Sequence, residues 1–280
     1  MSPTGRSGIR RRMAIAFLFG AAALAWFATG IGAEKDLIPH APIEILGDDG
    51  FTVESGVVGG TGTSEDPYLI VGWLIDATDT SFGVHVEGTT KAFAIECCRV
   101  FGASSTAINL VDVKMACITG CKMENSFFGL AIENSNNVCI SDNTFVENEY
   151  AALFLLNSSN NDVHENLFRA GGPGILFYEK AMNNTVRDNV FDHCKIGISI
   201  LSLAGGGNRI YYNDFLSCRA ASEACNLWND GKGTGNYWSE YGYKDADGDG
   251  IGDVAYRIFG SGYEYDYHPA MNPFHAIPDE

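Results

Sequence analysis

The chain has 280 residues, 46% of them apolar, enough for one sizeable core. Its 35 acidic against 18 basic residues give a formal net charge of −17, which sets it against the phosphates of DNA or RNA and excludes nucleic acid as a partner class. The same balance suits cations or a soluble extracellular surface.

The first predicted element is a leader. Arg6, Arg10, Arg11 and Arg12 precede an uncharged apolar run from Met13 to Ala33, the layout of a signal peptide. The run is also long enough to act as an N-terminal membrane anchor over residues 13–33 if it is not cut. Either way residues 1–33 place the body outside the cytoplasm, in the periplasm, the extracellular space or on the cell surface. Removing the leader takes away four arginines and no acid, so the net charge moves from −17 to −21.

Residues 34–80 keep no obvious period and read as an N-terminal cap. They carry Gly59-Gly60-Thr61-Gly62-Thr63 and Asp66-Pro67-Tyr68-Leu69-Ile70-Val71-Gly72-Trp73. From residue 81 to 227 a short phrase returns six times: apolar, two residues, Cys or Asn, one residue, apolar. Its copies centre on Cys98, Cys121, Asn143, Asn166, Asn189 and Asn213, spaced by 23, 22, 23, 23 and 24 residues. So regular a period means a solenoid, in which each repeat buries its apolar face only against its neighbours. The other half of each repeat alternates apolar positions, as in Gly129-Leu130-x-Ile132 and Gly197-Ile198-x-Ile200. Alternation at period two is a strand signal, and a coil of 22–24 residues holding two strands and their turns has no room for a helix. The fold class is all-β: a single-stranded parallel β-helix with N- and C-terminal caps.

In such a coil Asn143, Asn166, Asn189 and Asn213 stack, each amide donating to a carbonyl and to the next amide. Phe145, Phe168, Phe191 and Phe215 form an aromatic column beside them. Both columns are structural. The period also aligns Cys98 with Cys121, Cys117 with Cys139, and Cys194 with Cys218. Stacked Cα atoms fall within disulfide range, and export permits the bond. The other reading makes Cys98 and Cys121 small buried residues that replace the asparagines.

One acidic column suggests chemistry. Asp142, Glu165 and Asp188 share a coil position, with His164 and Arg187 one residue earlier. Two acids one coil apart, about 4.8 Å, approach the separation of a retaining glycosidase pair. Repulsion between them would raise one pKa, as an acid catalyst requires. The plainer reading is turn chemistry, since Asp before Asn at a bend is ordinary.

The C-terminal cap, residues 228–280, holds Asp245-x-Asp247-x-Asp249-Gly250-Ile251-Gly252-Asp253. Carboxylates at positions 1, 3, 5 and 9, Gly at 6 and the Ile251 carbonyl at 7 follow the first part of an EF-hand calcium loop. Tyr256 stands where the bidentate Glu belongs, so Glu240 or Asp266 would have to complete the shell. The expected cofactor is Ca²⁺ with a structural role. Copper would need soft or imidazole ligands, for which the tail offers His268, Met271 and His275 without a recognisable spacing.

The repeats, the Gly-Thr-Gly-Thr-x-x-Asp-Pro-Tyr-Leu-Ile-Val-Gly-Trp stretch and the ending Gly-Asn-Tyr-Trp-Ser-Glu-Tyr … Asp-Ala-Asp-Gly-Asp-Gly-Ile-Gly-Asp … Tyr-Arg-Ile resemble the NosD-like right-handed parallel β-helix proteins, also described by CASH-type repeats. The resemblance covers residues 41 to 274. It implies export and right-handed coils, and in its best-known member a periplasmic role in copper delivery.

Three functions stay open. The first is a non-catalytic binding or scaffold protein whose partner is a polysaccharide or a cell-surface protein. Tyr237, Trp238, Tyr241 and Tyr243 are candidates to stack on sugar rings, with cap packing the plainer role for Trp238. The second is a glycan hydrolase or lyase using Asp142, Glu165 and Asp188, and the third is copper delivery.

Overall fold

The computed structural model describes residues 37–276. The leader and the expected anchor lie outside the described residues. Among the described residues no helix is long and apolar enough to cross a membrane.

Three stacks of short parallel strands run the length of the molecule. The first sheet has nine strands, among them Arg99–Phe101, Lys122–Glu124, Thr144–Val146, Leu167–Arg169, Val190–Asp192 and Asp214–Leu216. The second has eight, including Phe93–Glu96, Ala116–Thr119, Val138–Ser141, Asp162–His164, Thr185–Arg187 and Arg209–Tyr211. The third, also of eight, includes Phe82–Glu87, Thr106–Val111, Phe128–Glu133, Ala151–Leu156, Pro173–Tyr178, Ile196–Ile200 and Ala220–Ser222. Each coil passes from the third sheet to the second and then to the first. The expected coil is thus present, with three strands per turn where the sequence pattern gave at least two.

Register follows the period. Phe145, Phe168, Phe191 and Phe215 are successive partners across the first sheet. Their rings stack at 4.8, 4.9 and 4.8 Å, within 10° of parallel. Trp238 and Tyr256 continue the column at 4.1 Å each. Pairing reaches back before residue 80: Tyr68–Val71 lies beside Phe93–Glu96, Trp73–Asp76 beside Arg99–Phe101, and Ile43–Leu46 beside Phe82–Glu87. A final two-stranded antiparallel pair, Tyr256–Arg257 with Tyr265–Asp266, closes the C-terminal end.

The asparagine column is built at the turn between the second and first sheets. Asn166 donates its main-chain N–H and its Nδ2 to Asn189 Oδ1 at 3.0 and 2.9 Å, and Nδ2 also reaches the Ile140 carbonyl at 2.9 Å. Asn143, Asn189 and Asn213 repeat the pattern, and all four are buried. Cys98 and Cys121 occupy the earlier rungs as buried thiols: Cys121 N–H donates to Asn143 Oδ1 at 2.9 Å and Cys98 N–H to Cys121 Sγ at 3.4 Å. All eight cysteines are free.

A second ladder stands at the entry to the second sheet. Asn161, Asn184 and Asn208 each donate main-chain N–H and Nδ2 to the next amide oxygen, at 2.9 to 3.1 Å. Asn226 is its last rung. These asparagines look like turn residues in the sequence, yet Asn161-x-Val163, Asn184-x-Val186 and Asn208-x-Ile210 keep the coil period.

Candidate functional site

The acidic column does stack on one turn. Asp142, Glu165 and Asp188 all have left-handed backbone, with φ of 54°, 58° and 56°. This conformation suits Asp and Asn, and it turns the chain so that the following asparagine points inward. Asp142 is raised by burial first and by the Glu165 charge second, the direction an acid catalyst needs. Asp188, however, is ion-paired to Arg187 at 3.0 Å, and Arg187 also holds Asp162 at 3.0 Å. His164 Nδ1 lies 3.4 Å from Asp162 without hydrogen-bond geometry, so a buried imidazole nitrogen lacks a partner.

A cleft lies elsewhere, at the C-terminal end of the third sheet, with a volume of about 510 Å³. Lys195, Ile196, Ser217, Arg219, Glu240 and Phe259 line it, and none of the three ridge acids does. A difference in connection length coincides with it. Phe191 pairs with Phe215 in the first sheet, while Ile198 pairs with Ala220 in the third. The last connection is therefore two residues shorter than the one it follows.

The cleft adjoins an unusual outer face through one row of the third sheet: Phe154, Leu176, Ser199 and Ala221 are successive partners, and Ala221 lines the cleft. Leu153 and Leu155 point into the core, so Phe154 and Leu156 point out. Phe128, Phe154, Leu156 and Tyr178 are half-buried on this face, and Tyr150 is 51% exposed at its rim. Phe128 stacks on Phe154 at 4.9 Å, and Phe127 on Tyr150 at 5.0 Å. Phe154, Leu156 and Tyr178 alternate with the core residues Leu153, Leu155 and Phe177, so this part of the face is legible only once the inward register is known.

In the cap, carboxylate oxygens of Asp245, Asp247 and Asp249 lie within 4.8 Å of one another. Gly248 and Gly250 N–H groups donate to the two oxygens of Asp245 at 2.7 and 2.9 Å, which with the other loop N–H groups holds its carboxyl below the usual range. Asp253 instead accepts from Ala246 N–H at 2.9 Å, and the Ile251 backbone bridges to Ala270. Neither expected completing acid joins. Glu240 is held by Arg219 at 2.7 Å and by the Tyr256 hydroxyl at 2.5 Å, while Asp266 is buried. Of the aromatic candidates, Trp238 is packed in the core; Tyr243 is 58% exposed.

A family model described as periplasmic copper-binding protein (NosD) matches residues 70–242, more than half of the chain. The chain belongs to the NosD family. No curated protein matches this NosD-family chain. Among solved structures it is similar to an alginate lyase from Paenibacillus sp. str. FPU-7, at 13% identity and a TM-score of 0.37, over 71% of this chain and 77% of that one.

The family's description makes copper a question for the residues present. In this NosD-family chain His275 Nδ1 is engaged with Asp214 at 2.9 Å, and that carboxylate raises the imidazole. Cys117 and Cys139 are partners on neighbouring coils. No third donor gathers with either group: among the described residues the one cluster of three is Asp245, Asp247 and Asp249, all carboxylate. The Asp cluster is an all-oxygen set, which fits a hard cation and not copper.

Proposed function

We propose that this NosD-family chain is an exported, non-catalytic scaffold that binds a polysaccharide along the outer face of its third sheet. The observation that carries this reading is the continuity of that face with the cleft. Phe128, Phe154, Leu156 and Tyr178 form a half-buried apolar track on a rigid support, and a contiguous apolar surface marks an interaction site. The outward row Phe154, Leu176, Ser199 and Ala221 carries this face to the cleft, which Ala221 lines. The coils advance by the 4.8 Å seen between stacked rings, close to the length of one sugar ring in an extended glycan, so successive coils meet successive sugars.

Two features support binding without turnover. Asp188 is committed to Arg187, and none of the three ridge acids lines the cleft. Pull-down on insoluble polysaccharides, followed by a reducing-end assay, tests both halves. The expected result is retention without product, weakened by Tyr150→Ala. Product that disappears in Glu165→Gln would replace this reading with a hydrolase or lyase; loss of retention on every glycan, with capture of one cell-surface protein, would replace the ligand.

The Asp245, Asp247 and Asp249 cluster favours an accessory calcium ion that pins the cap. Metal analysis of the purified chain is expected to give calcium and not copper; copper at unit stoichiometry would overturn that assignment.

A further inference from the structure

Resting on that carbohydrate reading, we propose that the cleft at the end of the third sheet selects an acidic glycan, its carboxylate or sulfate group held by Lys195 beside the fixed guanidinium of Arg219. Basic residues are scarce in this chain, 18 against 35 acids, yet two of them line this cleft. Lys195 is exposed and makes no ion pair among the described residues. A free ammonium at the mouth of a cleft is a ready partner for an anion.

Arg219 is held by two partners. Its Nε and one terminal nitrogen donate to Glu240 Oε2 at 2.8 and 2.7 Å. Its guanidinium lies 4.9 Å from the centre of the Phe259 ring. Glu240 is in turn anchored by the Tyr256 hydroxyl at 2.5 Å. Two of the five guanidinium N–H groups are used by Glu240, which leaves the others for a ligand. A donor fixed before the ligand arrives loses little entropy on binding. Glu240 offsets the charge of Arg219, so Lys195 supplies the net positive charge while Arg219 supplies directed hydrogen bonds.

The rest of the lining suits a sugar. Ser217 and Ser239 bring hydroxyls, with Ser239 Oγ already accepting from Ser217 N–H at 2.8 Å, so its own proton is free to donate. Phe259, 49% exposed, and Ile196 supply apolar surface for the sugar's carbon face. Cation, hydroxyls and an aromatic side thus converge where the apolar track ends. A glycan lying on that track would present one ring to the cleft.

Calorimetric titration of the mature chain separates this inference from the reading beneath it. The probes are three soluble oligosaccharides of equal length: neutral, uronate and sulfated. The expected result is at least tenfold tighter binding of one acidic probe than of the neutral one, with the two acidic arms identifying the anionic group. Lys195→Ala is expected to remove that preference while leaving neutral binding in place, and Lys114→Ala, away from the cleft, to change neither. Equal affinity for neutral and acidic probes would overturn the inference and leave the carbohydrate reading standing. An acidic preference undiminished in Lys195→Ala would move the site elsewhere and overturn it too. Binding of none of the three would overturn both.

Discussion

Asn236 passes the last donors of its ladder to Asp266: its main-chain N–H and Nδ2 both reach Asp266 Oδ2, at 2.7 and 3.2 Å. Trp238 Nε1 donates to the same oxygen at 3.0 Å. The second ladder ends the same way, with Asn226 N–H on Glu264 Oε1 at 2.9 Å and Trp228 Nε1 on Glu264 Oε2 at 2.5 Å. A stack of amides, each accepting from one neighbour and donating to the next, has surplus donors at one end. A buried carboxylate accepts and does not donate, so it terminates the series. The antiparallel pair at the C-terminus carries both acids back over the last coil, and it thereby satisfies groups that would be costly to leave buried and unpaired.

Removing Asp266 therefore strands two buried donors at once, Asn236 N–H and Trp238 Nε1, while Asn236 Nδ2 keeps the Ile210 and Trp228 carbonyls at 3.1 and 3.2 Å. Asp266→Ala is expected to destabilise the chain by about 3–5 kcal/mol, against a much smaller loss for Asp266→Asn, which keeps an acceptor. Urea unfolding of the two variants checks this. Equal stability of Asp266→Ala and the parent would mean that the ladder end is open to water.

The same burial sets a pH dependence. Asp266 is raised from 3.8 to about 6, because loss of hydration outweighs the hydrogen bonds it accepts. Glu264 is raised for the same first reason. The folded chain then holds the Asp266 proton at pH values where the unfolded chain has released it, so this contribution is complete below 3.8 and is lost as pH rises through about 6. The loss is roughly 3 kcal/mol by pH 7.5. Comparing unfolding free energies at pH 4.5 and 7.5 in the parent and in Asp266→Asn isolates it from other carboxylates; an identical change in both would contradict the assignment.

In mid-solenoid, Phe191 lies between two parallel rings and is fully buried. Phe191→Ala is expected to cost about 3–5 kcal/mol. Asn189→Leu removes an acceptor for Asn166 and the donors to Val163 and Asn213, and it is expected to cost a similar amount. Chemical denaturation measures both. A loss below about 1 kcal/mol in either would show that its column is not cooperative.

Calcium should stabilise the cap through Asp245, Asp247 and Asp249. At a hundredfold excess over Kd, binding is expected to add about 2.7 kcal/mol, seen as a rise in Tm that a chelator reverses. Asp247→Asn should reduce the rise, whereas Asp253→Asn, whose carboxylate accepts from Ala246 N–H, should alter it less. No calcium-dependent shift would leave the loop as a hydrogen-bonded turn.

Much of this architecture was legible in the chain because a solenoid repeats one local solution. Asn166 and Phe168 meet Asn189 and Phe191 through a spacing that anyone can count, and parallel register converts that spacing into contact. The second ladder was equally countable at Asn161, Asn184 and Asn208, but turn chemistry explains an Asn-rich bend just as well until burial is known. The shared coil position of Asp142, Glu165 and Asp188 can be counted in the same way, whereas the ion pair of Asp188 with Arg187 depends on side-chain placement that no spacing fixes.

By itself, then, the amino-acid sequence determined the coil, its period and the columns that fill it, since these depend on contacts between residues one lap apart. Only the tertiary structure decided how the solenoid ends and where a ligand has room. Asp266 reaches Asn236 from 30 residues away and Glu264 reaches Asn226 from 38, outside any period. The cleft lies where two sheets of the last coil advance by different amounts, a mismatch visible only when both registers are known.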